Sequence, residues 1–301
     1  MNSYLRAIRL ERWPRSLAIF IGSAAYLFLH RDFSPYADLS FILHLLLAFL
    51  LTWFISTANY VINEIADAPY DIHHPTKRHR PLVKGEIKII PFSLLGIAMI
   101  LVALIPAYII YSSSFFFSIL ALLIAGFVYN LRPVRTKDIP FLDAISESAN
   151  NPIRFLIGWF ALSPSDIFPP LSLLLCWWSF GNFLLVAKRL SEFRFLKEKA
   201  GDYRASLRRY SKKSLLLGMT ASAIVFFLTY FFFAYTSKFQ SLFLFSPFLV
   251  FYFFLFFRKT MKEKEVMEEP EQLLKNVKFA LYTFFLVLLF VLSFFIDKPG
   301  Q

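Results

Sequence analysis

Three oxygen-bearing side chains recur at intervals of four in this sequence: Asn63, Asp67 and Asp71. On an α-helix each step of four residues turns the direction by about 40°, so the spacing predicts that all three face one way. Carboxylates beside an amide oxygen suit magnesium, which takes one or two carboxylates and fills its shell with water and substrate phosphate oxygens. Pro69 falls between the last two and is disfavoured inside a helix, which places Asp71 at or just past a helix end. A basic run follows, from His73 and His74 through Lys77, Arg78 and His79 to Arg80. Lys77 and Arg80 are candidates for phosphate oxygens that the metal does not reach, since arginine offers a two-pronged fork and lysine a point charge. The three histidines make no tetrahedral set with other ligands, so their spacing argues against zinc.

These groups need a scaffold, and the composition says of what kind. Hydrophobic residues make up 57% of the 301, and Phe alone occurs 39 times. Soluble domains are about 45–50% apolar, so lipid must cover part of this surface. A spanning helix takes about 20 mostly apolar residues, and helices inside a bundle can be shorter or more polar. Apolar stretches fall near 16–29, 41–62, 89–111, 113–130, 143–162, 169–187, 214–236, 241–257 and 277–296. The expected fold is therefore an all-α polytopic bundle of about nine membrane helices, forming one integral membrane domain over residues 1–301. The basic N-terminus leading into Ser16–Leu29 has the look of a signal peptide, but the apolar segments that follow make it a first membrane helix.

The net charge is +12, and the basic residues sit in short loops between apolar stretches. That points to anionic lipid or phosphorylated substrates rather than nucleic acid. With the N-terminus inside, 28 of the 32 Lys and Arg fall on one side, Arg31, Lys238 and Lys298 on the other, and Arg154 within a span. Positive loops stay cytoplasmic, so the N-terminus and the acidic motif are expected at the cytoplasmic face of the plasma (inner) membrane. Cys176 is the single cysteine, which excludes an internal disulfide and a thiolate metal site. Phe-rich tracts at 231–233 and 253–257 read as lipid-facing surface, and 258–278 as a charged connector. No glycine-rich nucleotide loop, redox cofactor site or covalent nucleophile is legible.

The string Asn-Glu-x-x-Asp-x-x-x-Asp-x-x-His-Pro-x-Lys-x-x-Arg-Pro, residues 63–81, closely resembles the first aspartate motif of the UbiA superfamily of intramembrane prenyltransferases. The resemblance extends over nearly the whole chain in span count and motif placement. It implies a nine-helix bundle with the N-terminus inside, in which two acidic motifs at the cytoplasmic face bind magnesium and a prenyl diphosphate. The second motif departs from the pattern. At the end of the sixth span stand Lys188, Arg189 and Glu192, and Glu192 is the only acid near that end. This Lys-Arg-x-x-Glu string, with Arg204-x-Ser206-Leu207-x-x-Tyr210 beyond it, resembles the branch of decaprenyl-phosphate phosphoribosyltransferases. The resemblance implies direct cationic contacts, from Lys188 and Arg189, in place of a second metal cluster.

Other positions support an anionic substrate. Arg9 and Arg15, around Trp13, are candidates for a lipid phosphate and equally for an interfacial anchor. Arg135 closes the stretch Tyr129–Arg135 and is a candidate phosphate contact. In the polar fifth span, Glu147, Asn150, Asn151 and Arg154 fall on one helical face, which must turn inward; Asn150 and Arg154 are taken as substrate-binding, as is Glu192. The implied reaction is magnesium-dependent transfer of 5-phosphoribose from phosphoribosyl diphosphate to a polyprenyl phosphate. A rival is transfer of an isoprenoid from a prenyl diphosphate to an aromatic or other small acceptor. A transporter would show repeated halves with broken midplane helices, and no internal repeat is present.

Overall fold

A computed structural model describes residues 3–30, 39–72, 77–163, 167–262 and 276–297, and every regular element among them is helical. The chain divides into two compact units, Met1–Lys137 with Ala149–Pro169, and Asp138–Ser148 with Pro170–Gln301. Among the described residues seven helices are long and apolar enough to cross a membrane. The chain is an all-α, multi-pass membrane protein.

In chain order the first unit opens with the short helix α1 (Ser3–Ala7), a 3-10 segment (Leu10–Ala18) and α2 (Ile19–His30). The long α3 (Leu39–Asp71), α4 (Ile89–Ile110) and α5 (Ser113–Asn130) follow. The α6 helix (Leu142–Ser148) belongs to the second unit, and α7 (Asn150–Phe160) returns to the first. Two of the nine expected spans differ from simple membrane helices. Residues 16–29 are split between the 3-10 segment and a 12-residue helix. Residues 143–162 are broken at Ala149. Pro152 explains the break: it offers no N–H to the carbonyl four residues back, and its ring crowds that carbonyl. Pro69 lies within the last turn of α3, which ends two residues later, at Asp71.

Two glycines fix α7 against α2. A Cβ on Gly22 would lie 1.9 Å from the Phe155 carbonyl oxygen, and one on Gly158 would lie 1.8 Å from that of Ile19. The backbones therefore touch, the usual means by which membrane helices pack without a hydrophobic driving force. Ser23 donates to the Gly158 carbonyl at 2.8 Å. This seam fixes the position of Arg154 on α7. At the N-terminus, Ala7 and Ile8 pack with Val61, Ile87 and Phe92, and Arg6 and Ser3 both hold Glu86, at 2.6 and 2.8 Å. Arg9 is thereby carried to the end of α3.

The second unit contains α6, then α8 (Leu171–Leu196), α9 (Ala200–Tyr203), α10 (Lys212–Thr236), α11 (Gln240–Lys262) and α12 (Val277–Ile296). Phe183, Phe226 and Phe253 form its aromatic core, with ring centroids 4.6 Å (183–253) and 4.8 Å (226–253) apart. The Phe-rich tracts are thus not uniformly lipid-facing: Phe233, Phe253 and Phe256 are buried, while Phe232 and Phe254 are exposed. Helical periodicity divides each tract between the two environments. The centre of the charged connector, residues 263–275, lies outside the described residues.

Candidate functional site

The end of α3 gathers its charges into two groups rather than one face. Lys137 donates to Asn63 Oδ1 at 3.2 Å, to Asn130 Oδ1 at 3.0 Å and to Asp67 Oδ1. Arg135 donates to the same Asp67 oxygen at 2.9 Å and to the Asn130 and Ala66 carbonyls at 3.1 and 3.2 Å. Its guanidinium lies 4.6 Å from the Tyr70 ring centroid, and its backbone is left-handed, with φ 35°. Such a conformation in a non-glycine residue persists only where surrounding contacts hold it.

Asp71 turns elsewhere. It is buried, and Arg80 donates to its Oδ2 at 2.5 Å. Arg80 also stands 3.6 Å from Glu64 Oε2, which accepts from Arg9 at 3.3 Å. The expectation that Asn63, Asp67 and Asp71 share one face is corrected here. Two steps of four accumulate about 80° of drift between Asn63 and Asp71, whereas seven residues from Glu64 to Asp71 leave only about 20°. Glu64 and Asp71 therefore pair as one group, and Asn63 and Asp67 as the other. Arg9 also has a left-handed backbone, with φ 52°, and its guanidinium lies 5.8 Å from the Tyr60 ring centroid. Burial, and then the nearby Arg80, lower the pKa of Arg9.

Among the described residues around this helix end, the three carboxylates of Glu64, Asp67 and Asp71 face four cations, Arg9, Arg80, Arg135 and Lys137. The surplus positive charge favours an anionic ligand. The Lys137 ammonium sits against oxygens of Asn63, Asp67 and Asn130. That donor set fits a hard cation such as magnesium. Among the described residues no three His, Cys, Asp or Glu side chains are grouped so that they could hold a metal ion, so the cradle is the better fit and Asp71 stands apart from it. His73 and His74 and the side chain of Lys77 lie outside the described residues, and His79 is exposed.

The second unit holds a different device. Arg189 is fully buried, and its guanidinium is saturated by carboxylates. Nε donates to Asp143 at 2.8 Å, one terminal nitrogen to Glu147 at 2.8 Å, and the other to both oxygens of Glu192 at 3.1 and 3.2 Å. Asp143, equally buried, also accepts from Ser206 at 2.9 Å and from the Tyr210 hydroxyl at 2.6 Å. Tyr210 in turn accepts from the Phe141 N–H at 2.6 Å. Burial first, then the Asp143 carboxylate, push the Tyr210 pKa up, so the phenol stays a donor. The sequence reading puts Arg189 at phosphates and Glu192 at the substrate; in the structure both belong to this internal network, which ties α6 and α8 to the 204–210 segment. Lys188, next along α8, is half-buried.

The remaining expected residues lie in the first unit. Arg15 is half-buried on the 3-10 segment, and Asn150 begins α7. Arg154 approaches Ser56 Oγ at 3.5 Å. Sequence reasoning missed Lys137, Glu64 and Asn130 as site residues, and Asp143 as a hub. The heptad from Glu64 to Asp71 was the one signal available in advance.

Residues 17–289 match the UbiA prenyltransferase family. The chain belongs to that family. Its members are membrane transferases, and this bundle has their fold: a UbiA homolog from Archaeoglobus fulgidus bound to GPP and Mg2+ superposes with a TM-score of 0.69 at 20% identity, covering 97% of this chain and 99% of that one. The decaprenyl-phosphate phosphoribosyltransferase of Mycolicibacterium smegmatis is 24% identical over 76% of this chain and 69% of its own length. A 4-hydroxybenzoate octaprenyltransferase of Legionella pneumophila is 33% identical over 42% of this chain, and the match spans 43% of that protein.

Proposed function

We propose that this UbiA-family protein transfers 5-phosphoribose from phosphoribosyl diphosphate to a polyprenyl phosphate, with magnesium, at the cytoplasmic face of the membrane. The observation that carries the reading is the charge pattern. One oxygen cradle at Asn63 and Asp67 fits a single divalent cation. In the second unit, Asp143, Glu147 and Glu192 are already engaged by Arg189. A donor with a 5-phosphate besides its diphosphate, and an acceptor with its own phosphate, call for cations more than for a second acidic cluster. The likeness to the mycobacterial phosphoribosyltransferase over 76% of the chain supports the same reading.

Asn63 and Asp67 would hold magnesium, which supplies neutralisation of charge on the diphosphate. Lys137 and Arg135 leave their carboxylate for phosphate oxygens of the donor, and Arg9 and Arg80 do the same from Glu64 and Asp71. Cations fixed in advance stabilise the charge that develops on the leaving diphosphate. A phosphate oxygen of the acceptor attacks the anomeric carbon, the bond from that carbon to the diphosphate oxygen breaks, and diphosphate leaves. The acceptor is already an anion, so no general base is required. Lys188 remains a candidate phosphate contact in the second unit. The excess of basic residues on one side supports an inside N-terminus.

A second reading, isoprenoid transfer from a prenyl diphosphate to an aromatic acid, is favoured by the 33% identity to the octaprenyltransferase over 42% of the chain. The two are separated by supplying purified protein with magnesium and each substrate pair in turn and measuring diphosphate release. Release with phosphoribosyl diphosphate and polyprenyl phosphate supports the first. Release only with a prenyl diphosphate and 4-hydroxybenzoate overturns it.

A further inference from the structure

Lys137 stands on the oxygens that the proposed metal would use. Its ammonium donates to Asn63 Oδ1 at 3.2 Å, to Asn130 Oδ1 at 3.0 Å and to Asp67 Oδ1. All four residues belong to the first unit. The lysine is buried, so these oxygens replace the water that its charge has lost. Asn63 offers a hard cation a single ligand atom, its Oδ1, and Lys137 is already on it. Magnesium needs oxygens in near-octahedral geometry, and an ammonium held by the same oxygens opposes it through like charge. The lysine and the metal therefore compete for Asn63 and Asp67.

The surrounding contacts give the ammonium a way to leave. Asp67 also accepts from Arg135 at 2.9 Å, so its carboxylate is not stranded when Lys137 turns aside. The Asn130 amide nitrogen donates to the Gly126 carbonyl at 2.9 Å, which aims Asn130 Oδ1 at Lys137. Asn130 closes α5, whereas Asn63 and Asp67 lie on α3, so it can retain the ammonium while the other two take a metal. A phosphate is the partner that would draw the ammonium off, since lysine is a compact charge on a flexible stem with three donors.

We propose that Lys137 is a tethered cation that keeps magnesium weakly bound until a diphosphate arrives. The diphosphate draws the ammonium from Asn63 and Asp67, and magnesium enters those oxygens with it. This deepens the magnesium-dependent transfer reading and rests on its placement of the metal at Asn63 and Asp67. It holds equally for a phosphoribosyl and a prenyl donor. Coupling of this kind is reciprocal, so metal and diphosphate each tighten the other.

Binding to the purified full chain in detergent tests this, with no turnover read. The probes are manganese(II), a paramagnetic ion that accepts the same oxygen ligands, and labelled inorganic diphosphate. Bound manganese is followed by the loss of its free-ion spin-resonance signal. Wild-type protein should bind manganese alone weakly. Lys137→Met should bind it at least about tenfold more tightly, the scale of one charge-assisted hydrogen bond. Lys137→Arg keeps the charge and should bind manganese as weakly as wild type. Diphosphate without metal should bind Lys137→Met more weakly than wild type, because a phosphate contact is gone. Lys137→Gln carries the test if Lys137→Met does not fold. Unchanged or weaker manganese binding in the neutral variant overturns the proposal, and so does unchanged diphosphate binding. Asp67→Asn separates this outcome from failure of the metal placement. Manganese binding that survives Asp67→Asn puts the metal elsewhere and removes both. Binding lost in Asp67→Asn but unchanged in Lys137→Met removes the tethered-cation role alone.

Discussion

Replacing Arg189 by Met separates an internal counter-ion from a substrate contact. The guanidinium is fully buried and joins three carboxylates. The Glu147 side chain keeps 27% of its surface and can regain water, whereas Asp143 and Glu192, at 0% and 1%, cannot. Asp143 retains Ser206 and Tyr210 as donors, so Glu192 is the group left most exposed to the loss. Removing one partner of a buried ion pair costs about 3–5 kcal/mol, and one such loss is expected here rather than three. Unfolding in detergent, followed by tryptophan fluorescence against denaturant, should show a loss in that range. Arg189→Lys should lose less, because it keeps the charge and gives up only the fork. Donor affinity in the protein that remains folded should stay near wild type. Wild-type stability together with a tenfold or larger loss of donor affinity would refute the internal role and return Arg189 to the phosphates.

Asp67→Asn removes the charge from the oxygen shared by Arg135 and Lys137, and turnover should fall at least about a hundredfold, the scale of one lost preorganised electrostatic contact; steady-state kinetics at saturating magnesium check it. Gly158→Ala drives a methyl to 1.8 Å from the Ile19 carbonyl oxygen; overpacking of this kind costs about 1–3 kcal/mol or more, read as a lower melting temperature. Tyr210→Phe deprives buried Asp143 of a 2.6 Å donor and should cost about 1–3 kcal/mol, by denaturant titration.

The sequence alone carried the membrane bundle, because long apolar runs and lopsided basic loops are local properties. It also located Asp67 and Asp71 on one helix end, since helical spacing is local too. It did not show that Glu64, rather than Asn63, pairs with Asp71; seven residues match the helix repeat better than eight. Lys137 was invisible as a site residue because its cradle is made by α3 and α5, whose register no local pattern states. The internal partners of Arg189 are hidden for a similar reason. A Lys-Arg pair at a membrane helix end looks like a phosphate contact until Asp143 and Glu147, more than forty residues earlier, are seen against it. The break at Ala149 was legible in principle through Pro152, but the apolar count hid it.

The central claim concerns the group that is transferred, and the lipid product reports it directly. Purified protein with magnesium, polyprenyl phosphate, phosphoribosyl diphosphate, a prenyl diphosphate and 4-hydroxybenzoate together would be extracted and the lipids weighed by mass spectrometry. The account predicts a polyprenyl phosphate heavier by one phosphoribosyl group, absent when magnesium is chelated and absent in Asp67→Asn. A prenylated aromatic acid with unmodified polyprenyl phosphate would contradict it.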